Sequence, residues 1–154
     1  MTTWTNPQKK QLSIMIALAS NEFVDISDKA GEPYVMHCMK VMHYLPRDVD
    51  DEIRQIAVGH DLFEDTKVTA QDLRNMGFSE RVINGIFALT KHRGQSYEEY
   101  KIAVKANPDA VIVKKADLRH NSDIRRIKDP GQKDFERVAK YRQFYTELCG
   151  TGEI

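Results

Sequence analysis

Four ionisable residues crowd one short stretch near the middle of the chain: His60, Asp61, Glu64 and Asp65. Upstream, Ile53, Ile56 and Ala57 open an apolar stripe at helical spacing, and continuing that stripe reaches His60, Asp61 and Glu64. The face meant for a core thus turns abruptly polar. Carboxylates carried inward without partners are costly, so something cationic must meet them, and a divalent metal is the economical answer. His60 and Glu64 are one turn apart, as are Asp61 and Asp65, so one helix can offer a nitrogen donor, an oxygen donor and two further carboxylates to a common cavity. The plainer reading is a solvated, charged helix end with a histidine packed beside it.

The same anomaly recurs later. Val113, Ala116, Asp117, His120, Asn121 and Ile124 occupy successive stripe positions, which puts Asp117 and Asn121 on a face shared with core residues. Pairing of Asp117 to a nearby Lys or Arg would explain one helix; two helices breaking the apolar rule on their inward faces point to a shared site. A third stripe, Tyr34, His37, Cys38, Val41, Tyr44 and Leu45, carries His37. His43 lies roughly 240° further round that helix and is expected to point elsewhere. His37 is the better ligand candidate, with His92 and His120 as candidates for the rim.

The elements that must carry these residues read as helices throughout, since strand-like alternation is absent. The pattern predicts helices over about 7–24, 34–45, 50–65, 69–75, 79–90, 96–106, 108–126 and 131–148. Ser96-Tyr97-Glu98-Glu99 has capping-box spacing, Thr69 to Asp72 is a looser version, and Asn107-Pro108 sets an N-cap before a first-turn proline. Asp48 or Asp50 can cap the third helix, and Gly31 and Pro33 interrupt the chain before the second. The expectation is an all-α bundle of about eight helices in one domain, 1–154, with its core over about 10–147 and its last residues, 150–154, frayed.

Composition narrows the function classes. Lys+Arg and Asp+Glu both total 23 over 154 residues, so the formal net charge is zero and the basic excess of a bulk nucleic-acid binder is missing. An anionic ligand would have to be met by a local basic pocket. Cys38 and Cys149 are far apart and suggest neither a disulfide framework nor a cysteine zinc site. The polar start, Met1 to Lys10, does not read as a signal segment, and no apolar run is long enough for a bilayer, so a cytoplasmic protein without membrane partners is expected.

At these residues the chain resembles a known family. Gly31-Glu32-Pro33-Tyr34 followed by His37, then His60-Asp61 with Glu64-Asp65-Thr66, then Leu89-Thr90-Lys91, then Lys115-Ala116-Asp117-Leu118-Arg119 with Asn121, resemble the HD hydrolase domain of RelA/SpoT homologues, and stand-alone small alarmone hydrolases in particular. The resemblance runs over about residues 10–147. It implies one bound Mn²⁺ and removal of the 3′ pyrophosphate from the stringent-response alarmone ppGpp or pppGpp by water activated at the metal. Carried over, His37, His60, Asp61 and Asp117 are the metal ligands, and Glu64 and Asp65 are the acidic pair beside them. Asn121 matches a residue near the ligated aspartate and the substrate ribose. Lys91, Lys115 or its neighbour Lys114, Lys29 and Tyr34 are the further substrate contacts. Other transition metals suit the same donor set.

One departure bears on the substrate. The family's basic pair before the G-x-P-Y turn, where guanine is held, is replaced by Ile26 and Ser27, with Lys29 as the nearest cation. Asn21-Glu22-Phe23-Val24 also stands where the family's first-helix motif would be. The alternatives are therefore an HD hydrolase of another nucleotide (an adenine alarmone, a 3′-phosphorylated cofactor or a nucleoside monophosphate) and a non-catalytic nucleotide-binding module. The expected partner is a small nucleotide with a phosphate or pyrophosphate group, with a homodimer as an option; no synthetase domain follows, so alarmone synthesis is not expected.

Overall fold

The computed structural model describes residues 1, 3 and 6–150. Among these, nine α-helices follow one another: α1 (Pro7–Glu22), α2 (Tyr34–His43), α3 (Asp51–Gly59), α4 (Leu62–Asp65), α5 (Ala70–Asn75), α6 (Glu80–Leu89), α7 (Tyr97–Lys105), α8 (Pro108–Asn121) and α9 (Gln132–Cys149). A 3₁₀ turn, Ile124–Arg126, joins the last two. Apart from an isolated bridge between Ser27 and Pro33, no β pairing occurs among the described residues. The all-α expectation holds. The expected fraying falls, beyond Gly150, on 151–154, outside the described residues.

Helix starts follow local chemistry. Asn6, Asp50, Ser79 and Asn107 each accept a backbone N–H from the first turn, and complete capping boxes form at Thr69–Asp72 and Ser96–Glu99. Of the two candidates before the third helix, Asp50 is the cap.

α3 is the central helix, packed by α1, α2, α6 and α8. It is buried almost all round, through Ile53, Gln55, Ile56, Ala57, Val58 and Gly59. Two glycines set the spacing. A Cβ on Gly85 of α6 would lie 2.5 Å from Ile56 Cδ1, and one on Gly59 would lie 2.8 Å from Met15 Sδ. Around α3 the core is filled by Phe23, Met15, Leu62, Leu73, Ile83, Ile86, Leu118 and Phe144.

Two expected helices end early. The stretch 50–65 is not continuous: α3 stops at Gly59, Asp61 leaves helical geometry (φ −102°, ψ 2°), and α4 begins at Leu62. The His60 ring bonds back to the Ala57 carbonyl, which ties the break down locally. Likewise α8 stops at Asn121, and after a two-residue link Ile124–Arg126 forms the 3₁₀ turn.

Candidate metal centre

Four donors from three regions of the chain meet at one point. His37 comes from the inward face of α2, His60 and Asp61 from the break between α3 and α4, and Asp117 from the inward face of α8. His37 Nε2 lies 3.1 Å from Asp117 Oδ1 and 3.8 Å from Asp61 Oδ2. His60 Nε2 lies 3.0 Å from Asp61 Oδ2 and 3.4 Å from Asp117 Oδ1. Donor atoms of His37, His60 and Asp117 fall within 4.8 Å of one another, as do those of Asp61, Glu64 and Asp65, so Asp61 links the buried trio to the acidic pair.

The bonds behind these donors orient them. The His60 Nδ1–H donates to Ala57 O at 2.7 Å, which turns Nε2 into the centre. Although carboxylate oxygens lie close, they are out of line for an N–H donor, and buried Nε2 makes no hydrogen bond. A buried ring nitrogen facing two carboxylates without a hydrogen bond to either fits a cation between them. His37 Nδ1 meets His120 Nδ1 at 2.7 Å, the two rings stacked 20° from parallel. Tyr34 Oη donates to Asp61 Oδ2 at 2.5 Å, Asn121 Nδ2 to Asp117 Oδ1 at 2.8 Å, and Lys114 Nζ to Asp117 Oδ2 at 2.8 Å. Two imidazoles and two carboxylates, each backed by an outer partner, form a donor set suited to a divalent transition ion.

The electrostatics are those of a cation site. Burial would lower the His60 imidazole, but the Asp61 and Asp117 carboxylates outweigh it and hold the group well above its ordinary value. Burial would raise Asp117, yet the Lys114 ammonium and the two imidazoles hold it well below the carboxylate range. A proton on His60 thus takes the part a metal would take. Asp65 moves the other way: partial burial, then the charges of Asp61 and Glu64, push it up to about 6. His120 is lowered to about 4 by burial, with Arg126 and His37 adding to it.

The centre opens into a cavity of about 490 Å³ lined by both acids and cations. Tyr34, Glu64, Asp65 and Asn121 line it, together with Lys29 and Lys114. Glu64 is held by the backbone N–H of Lys91 at 2.7 Å. The Lys91 side chain is exposed, and neither Lys91 nor Lys115 lines the cavity. Helical spacing decides between the adjacent lysines: Lys114 lies three residues before Asp117 and shares its face. His43 is exposed, and His92 packs on Phe87 away from the centre.

Sequence reasoning missed further cavity residues, among them Arg126, Arg137 and Tyr141. Arg126 bonds Asp28 Oδ2 at 2.7 Å and so fastens the loop before α2 to the 3₁₀ turn. Within that loop Asp28 also accepts the N–H groups of Ala30 and Glu32. Arg137 and Tyr141 are one turn apart on α9, a pairing that the helical stripe could have flagged. Lys29 is held below its ordinary value by burial and then by the like charge of Arg137, which Asp134 only partly offsets.

No protein-family model matches the chain. A probable guanosine-3′,5′-bis(diphosphate) 3′-pyrophosphohydrolase from Synechocystis sp. is 29% identical over 105 residues, covering 60% of this chain and 14% of that protein. A guanosine-3′,5′-bis(diphosphate) 3′-pyrophosphohydrolase from Aquifex aeolicus is 28% identical over 102 residues, with the same 60% and 14% coverage. The match therefore spans only about a seventh of these relatives' length. Among solved structures, a metazoan SpoT ortholog described as hydrolysing ppGpp superposes with a TM-score of 0.75 at 18% identity, over 99% of this chain and 90% of that one. Over the matched stretch the chain is thus similar in sequence to proteins named as ppGpp 3′-pyrophosphohydrolases, and in fold to the metazoan SpoT ortholog.

Proposed function

We propose that the chain is a metal-dependent nucleotide pyrophosphohydrolase that takes ppGpp or a close relative and releases its 3′ pyrophosphate. The observation that carries this reading is the unbonded, buried His60 Nε2, aimed into a gap ringed by His37, Asp61 and Asp117, at the edge of a cavity with an acidic pair and a set of cations. The naming of the Synechocystis and Aquifex relatives and the fold of the metazoan protein support the substrate class.

In this reading His37, His60, Asp61 and Asp117 hold one divalent ion, with Mn²⁺ the preferred occupant. Such an ion supplies Lewis acidity toward a phosphoryl oxygen and toward water. The chain's own groups do the rest. Tyr34 and Asn121 fix the carboxylates of Asp61 and Asp117 by donating to them. Asp65, with a carboxyl titrating near 6, takes the proton of the attacking water as general base. Glu64, pinned by the Lys91 N–H, orients that water. As the bond from phosphorus to the 3′ oxygen breaks, Lys29 and Arg137 neutralise the charge on the pyrophosphate, and the proton held by Asp65 passes to the 3′ oxygen of the departing GDP. Lys114 offsets the charge of Asp117. Lys91 thus contributes through its backbone, and the role assigned to Lys115 passes to Lys114.

A second reading, a hydrolase of another nucleotide, is favoured by the loop before α2. Ser27, Asp28 and Lys29 line the cavity while Ile26 packs toward the core, so the loop offers no arginine to stack on guanine. A panel of ppGpp, its adenine counterpart and 3′-phosphonucleotides, assayed with Mn²⁺, separates the readings. Pyrophosphate and GDP from ppGpp are the expected products. Metal-dependent turnover confined to the other nucleotides selects the second reading, and no turnover of any removes the enzymatic assignment.

A further inference from the structure

Behind α8, away from the metal centre, lies a second concave surface rich in unpaired cations. One hollow of about 350 Å³ is lined by Tyr44, Arg119, Arg142 and Tyr145 among others. A neighbouring one of about 620 Å³ shares Tyr44 and Arg119 with it and adds Lys40 and Arg47. Asp123 is the one lining residue in common between the first hollow and the catalytic cavity, and the second hollow has none. The separation follows from α8 itself: Asp117 and Asn121 face the centre, while Arg119, two residues on from Asp117, projects from the opposite side.

The charge balance of this groove is one-sided in a chain whose net charge is zero. Arg54 is paired with Asp51 and Arg125 with Asp123. No carboxylate lies within ion-pair distance of Lys40, Arg47, Arg119 or Arg142 among the described residues. Basic groups at helix C-termini complement the helix dipole, which accounts for Lys40 and Arg119. It does not account for Arg47, which follows α2 in a loop, or for Arg142, in the middle of α9. The Arg119 guanidinium is stacked on the Tyr44 ring, 4.2 Å from its centroid, with Lys40 Nζ 5.1 Å from the same centroid. Stacking of this kind holds a guanidinium in place and leaves its N–H edge free to donate.

We propose that this groove binds a small phosphorylated ligand carrying two or more negative charges. Its volume is that of a small-molecule site. The arginines around it, with Arg119 held by its contact with Tyr44, suit phosphate oxygens, and the rings of Tyr44 and Tyr145 that line it offer an apolar surface to the rest of the ligand. A long nucleic acid is the less fitting occupant, since the chain as a whole lacks the basic excess that such binding uses.

The test is an NMR titration of the ¹⁵N-labelled whole chain with inorganic tripolyphosphate in 0.15 M KCl, no divalent metal added, following the arginine Nε–H signals. Saturable shifts of Arg119 and Arg142 with Kd below 1 mM are expected. Arg119→Gln read at Arg142, and Arg142→Gln read at Arg119, both exposed positions checked for unchanged melting, each weaken that isotherm several-fold, and the double variant read at Arg47 weakens it at least tenfold. Shifts at Arg126 and Arg137 follow a separate isotherm that these variants leave alone. Absent or non-saturating shifts at Arg119 and Arg142 overturn the proposal. So does displacement of tripolyphosphate by a 12-mer single-stranded RNA at a tenth of its concentration, which would make the groove a nucleic-acid surface. The readout is binding at Arg119, so Asp61→Asn leaves it intact, and a failed hydrolysis assay is distinguishable from a failure here.

Discussion

Each residue at the centre is defined by what stands behind it. His37 can offer Nε2 to a metal only while its Nδ1 is occupied, and His120 is the group that occupies it, at 2.7 Å. His120→Ala leaves that nitrogen unpaired. The expected result is Mn²⁺ affinity lower by about 10- to 100-fold by calorimetry, with the helical circular dichroism unchanged because His120 is only half-buried. Unaltered affinity would mean that packing alone orients His37. Asp65 allows a prediction of opposite sign to the usual carboxylate. Its carboxyl titrates higher in the fold, at about 6, than its ordinary value of 3.8. The folded state therefore holds the proton longer than the unfolded one. Its contribution is fully favourable below the lower value, declines as pH rises through that window, and is flat above it. In metal-free protein the stability gained by Asp65→Asn relative to wild type should be near zero at pH 3.5, grow up to about pH 6, and then stay constant. Urea midpoints at a series of pH values measure it, and a pH-independent difference would contradict the mutual repulsion of Asp61, Glu64 and Asp65.

At the scale of elements, what was legible in the sequence is what local chemistry decides. Capping boxes at Thr69 and Ser96, the Asn107-Pro108 start and the stripes carrying His37 and Asp117 depend on neighbours within a turn, and the fold keeps them all. The break at His60-Asp61 was not legible, because a stripe read along 53–64 looks the same whether the helix continues or turns. It matters, since leaving helical geometry lets Asp61 face both His60 and the acidic pair. Arg137 and Tyr141 share a face of α9 at one-turn spacing, but that this face and Arg126 reach the cavity depends on how α9 and the 3₁₀ turn dock, a long-range event. Close approach of helices is likewise tertiary. At Gly85 a methyl would meet three atoms of Ile56, the nearest at 2.5 Å. Gly85→Ala gains up to about 1 kcal/mol in helix propensity but overpacks the α3–α6 contact by about 1–3 kcal/mol. A net loss on the order of 1 kcal/mol in chemical denaturation is expected. A stabilised variant would mean that Ile56 repacks freely and that the glycine is not what sets the α3–α6 distance.

Taken as a whole, the chain sums to zero charge while concentrating acids at the centre and unpaired cations in the groove behind α8. The centre draws on α2, the α3–α4 break and α8, elements distant in sequence that the fold brings together. An ion bound there clasps the bundle at its middle, so binding should register as global stability and not only as activity. Without metal, the proton on His60 partly balances Asp61 and Asp117. An entering ion must displace it, so Mn²⁺ affinity should rise with pH until His60 is neutral, with proton release visible in buffers of different ionisation enthalpy. A ligand that binds only the folded state at a hundred times its Kd adds about 2.7 kcal/mol. For a domain of this size each kcal/mol raises Tm by about 2–4 °C, so saturating Mn²⁺ should raise Tm by about 5–10 °C. Asp117→Asn removes one donor charge and should abolish most of that rise, and the metal-free Tm should itself fall, because Lys114 and His60 lose the buried carboxylate that balances them. If the wild-type chain melts at the same temperature with and without millimolar Mn²⁺, the four side chains do not hold an ion, and the hydrolytic reading fails with them.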